Sequence, residues 1–194
     1  MRPLTAAALQ TAPTPGPLTR ASIKANLATC ADLIEGCVAA TGADLVVLPE
    51  TATTGYTTGL DPDSLWDLVS EVPGPITEPL QDAARRLKTH LVVGTSERGP
   101  ERGTVHNTAA VIGPTGEVLG SYRKTHVFYL EDRDAGGWVT RGDQAVVVDT
   151  DLGRIGLLIC YDGDFPELAR AEAVRGAEVL CRPSALASSG KSPS

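Results

Sequence analysis

Three residues stand where a side chain could do chemistry. Cys160 closes the apolar run Ile155-Gly156-Leu157-Leu158-Ile159, and the turn Tyr161-Asp162-Gly163-Asp164 leads from it into a predicted helix. Asp164 and Glu167 have capping-box spacing, with Pro166 in the first turn. A thiol at such a strand-to-helix corner lies near the positive end of a helix. That place lowers its pKa and offers backbone N–H groups to an oxyanion, so it suits a nucleophile. Glu50 follows Leu45-Val46-Val47-Leu48-Pro49, past the end of another buried strand. Carboxylates at that end of open α/β sheets face the ligand crevice. Lys124, in Tyr122-Arg123-Lys124-Thr125-His126, lies just beyond a further strand. Taken singly, each has an ordinary reading: an inert buried thiol, a solvated loop carboxylate and a surface ammonium. His126 is read as loop packing.

The elements that must position these residues alternate between strand and helix. Strands are predicted over Leu4 to Gln10, Asp44 to Leu48 and Leu91 to Gly94, the last two as short continuous apolar runs typical of strands buried on both faces. Ser22 to Ala40 keeps helical spacing through Ile23, Leu27, Cys30, Ile34, Cys37 and Val38, with Gly42 as its C-cap residue. Thr51 to Gly59 is rich in Thr and Gly and reads as loop. Ile76 to Lys88 is a second helix. Thr108 to Ile112 and Glu117 to Tyr122 flank the turn signal Gly113-Pro114-Thr115-Gly116 and form a hairpin. Lys124 to Gln144 is a long irregular segment, of the kind that is functional or disordered in compact domains. Ala145 to Val148, Ile155 to Cys160 and Glu178 to Cys181 complete the strands, with a helix over Phe165 to Arg175. The alternation predicts a layered α/β fold with a mixed sheet.

Composition narrows the classes. The chain has 194 residues and a formal charge of −7, with 42% hydrophobic residues. One domain fits that length. The acidic balance and the lack of a basic run argue against a nucleic-acid partner. The longest apolar runs are too short to span a membrane, and a cytoplasmic protein is expected. The four cysteines, at 30, 37, 160 and 181, are too few for a disulfide framework. They include no C-x-x-C pair, and no His stands at ligand spacing, so no metal site is expected. Cys30 and Cys37 read as core thiols. No nucleotide-binding glycine motif follows the first strand.

Considered together, the segments are specific. Leu48-Pro49-Glu50 with Thr54-Gly55-Tyr56, then Tyr122-Arg123-Lys124-Thr125-His126, then Cys160-Tyr161-Asp162 with Phe165-Pro166-Glu167 resemble, in order and spacing, the nitrilase superfamily of carbon–nitrogen hydrolases. Ala8-Leu9-Gln10 and Arg175-Gly176-Ala177-Glu178 also fit, so the resemblance runs from about Leu4 to Ser184. It implies an α-β-β-α sandwich and a catalytic set of Glu50 as general base, Lys124 as oxyanion stabiliser and Cys160 as nucleophile. It implies no cofactor. The substrate would be a small amide or carbamoyl compound, cleaved through a thioester. The backbone N–H of Tyr161 would assist the oxyanion, and Tyr56 would line the pocket. A second carboxylate is implied after the lysine, where Glu131 and Asp132 both stand, with Glu131 carried forward; Asp134 to Gly137 resembles a small insertion. The Cys-Tyr-Asp context resembles the amide and carbamoyl branches more than the true nitrilases.

Family members usually continue beyond the strand at Val179 to Ser184. The resemblance therefore implies a C-terminally shortened sandwich over 1–184 and an unstructured tail over 185–194, and homo-oligomers are expected. Two other readings stand beside hydrolysis: transfer of the acyl group to an amine, and an inactive family fragment serving as a binding or oligomer-forming module.

Overall fold

The computed structural model describes residues 3–56 and 59–185. Apart from Ala185, the tail expected to be unstructured lies outside them. Two sheets face each other. The first has the order β1 (Ala6–Ala8), β2 (Leu45–Val47), β3 (His90–Arg98), β4 (Val105–Ile112) and β5 (Val118–Arg123); β1, β2 and β3 are parallel, and β4 and β5 run antiparallel to their neighbours. The second sheet is β6 (Val147–Thr150), β7 (Gly153–Leu157) and β8 (Val179–Cys181), with β6 antiparallel and β8 parallel to β7.

Alternation along the strands explains the layers. Val46, Leu91, Val93 and Ile112 point from the first sheet to a helical layer, meeting Ile23, Leu27, Cys30 and Ile34 of α1 (Arg20–Thr41) and Leu80 and Ala84 of α3 (Glu78–Leu87). Leu45, Val92, Ala109, Val111 and Tyr122 point the other way and meet Val148, Ile155 and Leu157 of the second sheet. The helix α4 (Pro166–Val174) covers that sheet through Leu168. The result is the α-β-β-α order. Cys30 is buried in it, whereas Cys37 is only half-buried.

Helix α1 starts on a reciprocal Thr19–Ser22 cap and ends where Gly42 turns left-handed at φ 63°. The predicted loop after Glu50 gives way to a helix not foreseen, α2 (Pro62–Leu68), which Asp61 caps by accepting from the N–H groups of Asp63 and Ser64. The β3–β4 hairpin is also longer than its apolar residues predicted, because polar side chains at its far end are satisfied by one another and by the segment after Glu50. Thr53 bonds Thr95 at 2.7 Å, Thr54 bonds Ser96 at 2.8 Å, and Thr108 donates to Glu97 at 2.7 Å. No helix among the described residues is long and apolar enough to cross a membrane.

One buried carboxyl stands outside these networks. Glu172 of α4 is fully covered, and neither oxygen has a hydrogen-bond partner among the described residues. It packs on β7, where a Cβ at Gly156 would come within 2.5 Å of its Oε2. Burial, with Asp162 nearby, raises its pKa to about 7. The main chain at Leu157 and Val146 pulls the other way without reaching hydrogen-bond geometry, so burial wins. The folded carboxyl thus holds its proton more tightly than the unfolded one. Its cost is absent below about pH 4.5, grows as pH rises towards 7, and is constant above. Glu172→Gln should match the parent in denaturant melts at pH 4.5 and exceed it at pH 8 by about 2–3 kcal/mol. Equal stability at both pH values would contradict this account.

Candidate active site

Each predicted residue leaves the sheets at the same edge. Glu50 and Cys160 each stand three residues past the end of a strand, β2 and β7, and Lys124 directly follows β5. The Glu50 turn is held tightly against β3: a Cβ at Gly94 would lie 2.3 Å from the Pro49 carbonyl oxygen and 2.7 Å from the Glu50 Cα. Only glycine permits that approach, and it places the carboxylate over the sheet end.

The side chains converge. Lys124 Nζ donates to Glu50 Oε1 at 2.7 Å and also to Glu131 Oε1. Glu50 is 2% exposed, Lys124 0% and Glu131 1%. Burial by itself favours the neutral amine of Lys124, but the two carboxylates outweigh it and the pKa lies above the ordinary lysine value. Burial raises the pKa of Glu131, with Lys124 opposing.

The chain path sends the two adjacent carboxylates to different partners. Glu131 points inward, and its Oε1 also accepts the Phe128 N–H at 3.1 Å. Asp132 turns outward to Arg141 and caps the short 3-10 turn Arg133–Ala135. The Asp134 to Gly137 stretch completes this turn and brings Gly137 back against Glu131. A Cβ at Gly137 would meet the Glu131 backbone at 2.3 Å, and the Glu131 carbonyl accepts the N–H groups of both Trp138 and Val139.

Cys160 begins a 3-10 helix, Cys160–Asp164, in the left-handed region at φ 43°. A non-glycine residue there stores strain, as sharp turns that present a nucleophile do. Cys160 was predicted to end its strand; instead, β7 stops at Leu157. Its pKa is raised, not lowered as expected. Burial is the first cause and the charge and hydrogen bond of Glu50 add to it, while Lys124 and the Ala185 N–H pull down without prevailing. A short 3-10 turn supplies too little positive field to offset desolvation. The resting group is therefore a thiol, and attack requires a base.

The N–H of Cys160 is taken by the Pro183 carbonyl and that of Asp162 by the Ile159 carbonyl, both at 2.9 Å; Tyr161 lies between them. The Tyr161 ring packs edge-on to Phe128 and Phe165, at 5.3 and 5.2 Å. Tyr56 places its ring 6.0 Å from Lys124 Nζ. Its hydroxyl stays neutral, since burial and the charges of Glu131 and Glu50 all oppose ionisation.

Two positioning residues were not foreseen. Asp162, fully buried, accepts from Tyr122 Oη and the Ile159 N–H, both at 2.8 Å, and from the His126 N–H at 2.9 Å. It ties the chain after Lys124 to the turn that carries Cys160. His126 joins this clamp, with Nδ1 3.0 Å from Asp162 and its ring stacked on Phe165 at 4.1 Å. The second is Asn107 in β4, whose Nδ2 donates to Glu50 Oε1 at 2.8 Å and to Glu131 Oε2 at 3.1 Å. The only hint in the sequence was a polar residue heading an apolar run. Among the described residues, no three His, Cys, Asp or Glu side chains are grouped to hold a metal ion.

Residues 5–194 match the carbon–nitrogen hydrolase family. The chloroplastic omega-amidase of Arabidopsis thaliana is 37% identical over 177 residues, 84% of this chain and 45% of its own length. The carbon–nitrogen hydrolase of Helicobacter pylori superposes with a TM-score of 0.79 at 29% identity, covering 94% of this chain and 60% of that one. An amidase from Nesterenkonia sp. AN1 superposes at 0.72 with 29% identity, covering 91% and 64%. The chain spans about half the length of the curated relatives it matches.

Proposed function

The chain belongs to the carbon–nitrogen hydrolase family, and from that premise we propose that it hydrolyses small amides or carbamoyl compounds through a Cys160 thioester. The observation that carries this reading is the buried Glu50–Lys124–Glu131 cluster, whose charges act on the protonated thiol of Cys160, a residue held with a strained backbone. Glu50 takes the proton as Cys160 Sγ attacks the carbonyl carbon. The carbonyl π pair moves to oxygen, and the oxyanion forms beside Lys124 and the Tyr161 N–H. Lys124 suits the role because its ammonium has three N–H bonds, and Glu50 and Glu131 take two.

Collapse of the tetrahedral adduct expels the amine, which leaves with the proton held by Glu50. Water then attacks the thioester, gives its proton to Glu50, and the acid departs as Cys160 regains its thiol. Glu131 fixes the ammonium and borders the space for the substrate nitrogen or the water. Support comes from the Nesterenkonia relative, in which a glutamate-to-glutamine variant carries the acetamide moiety of fluoroacetamide on the active-site cysteine. The omega-amidase relatives support amides as a substrate class.

The test is ammonia release from a panel of small amides and N-carbamoyl compounds, with mass spectrometry of the quenched protein. Release together with an acyl adduct on Cys160 is expected. Release with the adduct on another residue, or no release from a well-folded protein across the panel, would overturn the reading.

A further inference from the structure

Asn107 bonds both carboxylates of the site with its side chain and the main chain of Lys124 with its own. Its Nδ2 donates to Glu50 Oε1 at 2.8 Å and to Glu131 Oε2 at 3.1 Å, and its backbone carbonyl accepts the backbone N–H of Lys124 at 2.8 Å. The side chain is fully buried. Its amide orientation follows from chemistry, since the reverse would set Oδ1 against two carboxylates. In the observed orientation Oδ1 itself has no partner among the described residues. The molecule thus leaves a buried acceptor unsatisfied to aim both N–H bonds at the acids.

The two oxygens of Glu50 are consequently unlike. Oε1 accepts from Lys124 Nζ at 2.7 Å and from Asn107 Nδ2, which fills both its lone pairs. Among the described residues, Oε2 accepts the Ala185 N–H, at 2.9 Å, and keeps a lone pair free. Oε2 is therefore the oxygen with capacity to spare for the thiol proton.

We propose that Asn107 is a positioning residue for the reaction: with Lys124 it saturates Glu50 Oε1, so that the proton leaving Cys160 is received, and later returned, by Oε2 alone. This rests on the hydrolase reading above. The S–H bond breaks, an O–H bond forms at Oε2, and the electron pair left on sulfur makes the bond to carbon. Without the Asn107 donor, Oε1 competes for the proton and the carboxylate is free to turn. Glu131 also loses a fixed orientation.

The test compares the parent with Asn107→Leu, which fills the space without donors, and Asn107→Asp, which adds a third carboxylate. Asn107→Ser, small and polar, stands in where Asn107→Leu does not fold. Circular dichroism and melting curves establish the folded fraction. Two profiles are then measured against pH: kcat/KM for an amide that the parent turns over, and the alkylation rate of Cys160 by iodoacetamide, which needs no turnover.

For Asn107→Leu, kcat falls at least about tenfold per folded molecule, with KM nearly unchanged. Its acid limb moves to higher pH, because a carboxylate that loses a donor holds its proton more firmly. For Asn107→Asp, the added charge moves the alkylation profile of Cys160 to higher pH. Folded variants that keep the parent profiles and lose activity only with the folded fraction would reduce Asn107 to a structural role. If the parent hydrolyses no amide, the hydrolase reading fails separately. The alkylation profile then decides alone: a shift in Asn107→Asp supports the placement of Asn107 against the thiol's base, and an unmoved profile overturns it.

Discussion

Lys124→Met is expected to remove amide hydrolysis by at least about 10³-fold and to destabilise the fold in a pH-dependent way. The side chain is the only cation bonded to Glu50 and Glu131 among the described residues, and all three groups are shut away from water. Methionine fills much of the stem's volume, so packing changes little; what is lost is the charge. Two buried carboxylates then face each other uncompensated, which costs about 3–5 kcal/mol when one partner of a buried pair is removed. The molecule relieves this by protonation. Glu131 already binds its proton more tightly than a free glutamate because burial outweighs Lys124, and loss of Lys124 raises it further. A carboxyl whose folded pKa is raised contributes stability at low pH that is lost as pH climbs through it. The melting-temperature deficit of Lys124→Met should therefore be small near pH 4.5 and large at pH 8. A variant that melts like the parent at pH 8 would mean that the cluster is neutral as a whole, and the charged-lysine account would fall.

The parts of this site that were legible in the sequence share a physical cause. Strands buried on both faces are continuous apolar runs, so Leu45–Leu48 and Ile155–Ile159 announce themselves, and a charged or nucleophilic residue at their ends stands out. That is why Glu50 and Cys160 were readable, and Lys124 by the same logic after Tyr122. Residues whose meaning comes only from folding were not. Asn107 and Asp162 are ordinary polar residues until β4 and the turn after β7 bring them against partners 57 and 40 positions away. The polar ends of β3 and β4 concealed the hairpin's length for the same reason: Thr95, Ser96 and Glu97 are satisfied by side chains distant in sequence. Glu131 and Asp132 differ by a single backbone step, and only the fold of Gly137 beneath Glu131 shows which one turns inward. The thiol's direction of shift was misjudged because local geometry suggested a helix end, whereas the dominant influence, burial, is a property of the whole sandwich.

Glu50→Gln is expected to separate ionisation from catalysis at Cys160. In the parent, burial raises the thiol pKa first, the Glu50 charge and hydrogen bond raise it further, and Lys124 opposes both. Glutamine nearly preserves the shape and removes the negative charge. Lys124 remains, now balanced by Glu131 alone. The thiol then ionises at lower pH than in the parent, and its alkylation by iodoacetamide rises earlier on a pH scale. Turnover moves the opposite way. An amide nitrogen cannot take the thiol proton, protonate the leaving amine or activate water, so hydrolysis falls by about 10²–10⁴-fold. The two measurements together discriminate between roles for Glu50. If it served only to hold Lys124, the glutamine oxygen would still accept that bond at Oε1, and much of the rate would survive. If it were an electrostatic brake on the thiol and nothing more, turnover would rise with thiolate fraction. Faster alkylation at neutral pH with collapsed turnover is the result that only a proton-carrying Glu50 produces, and it assigns the cost of a raised thiol pKa to the need for one group to serve as base, acid and base again within a single cycle.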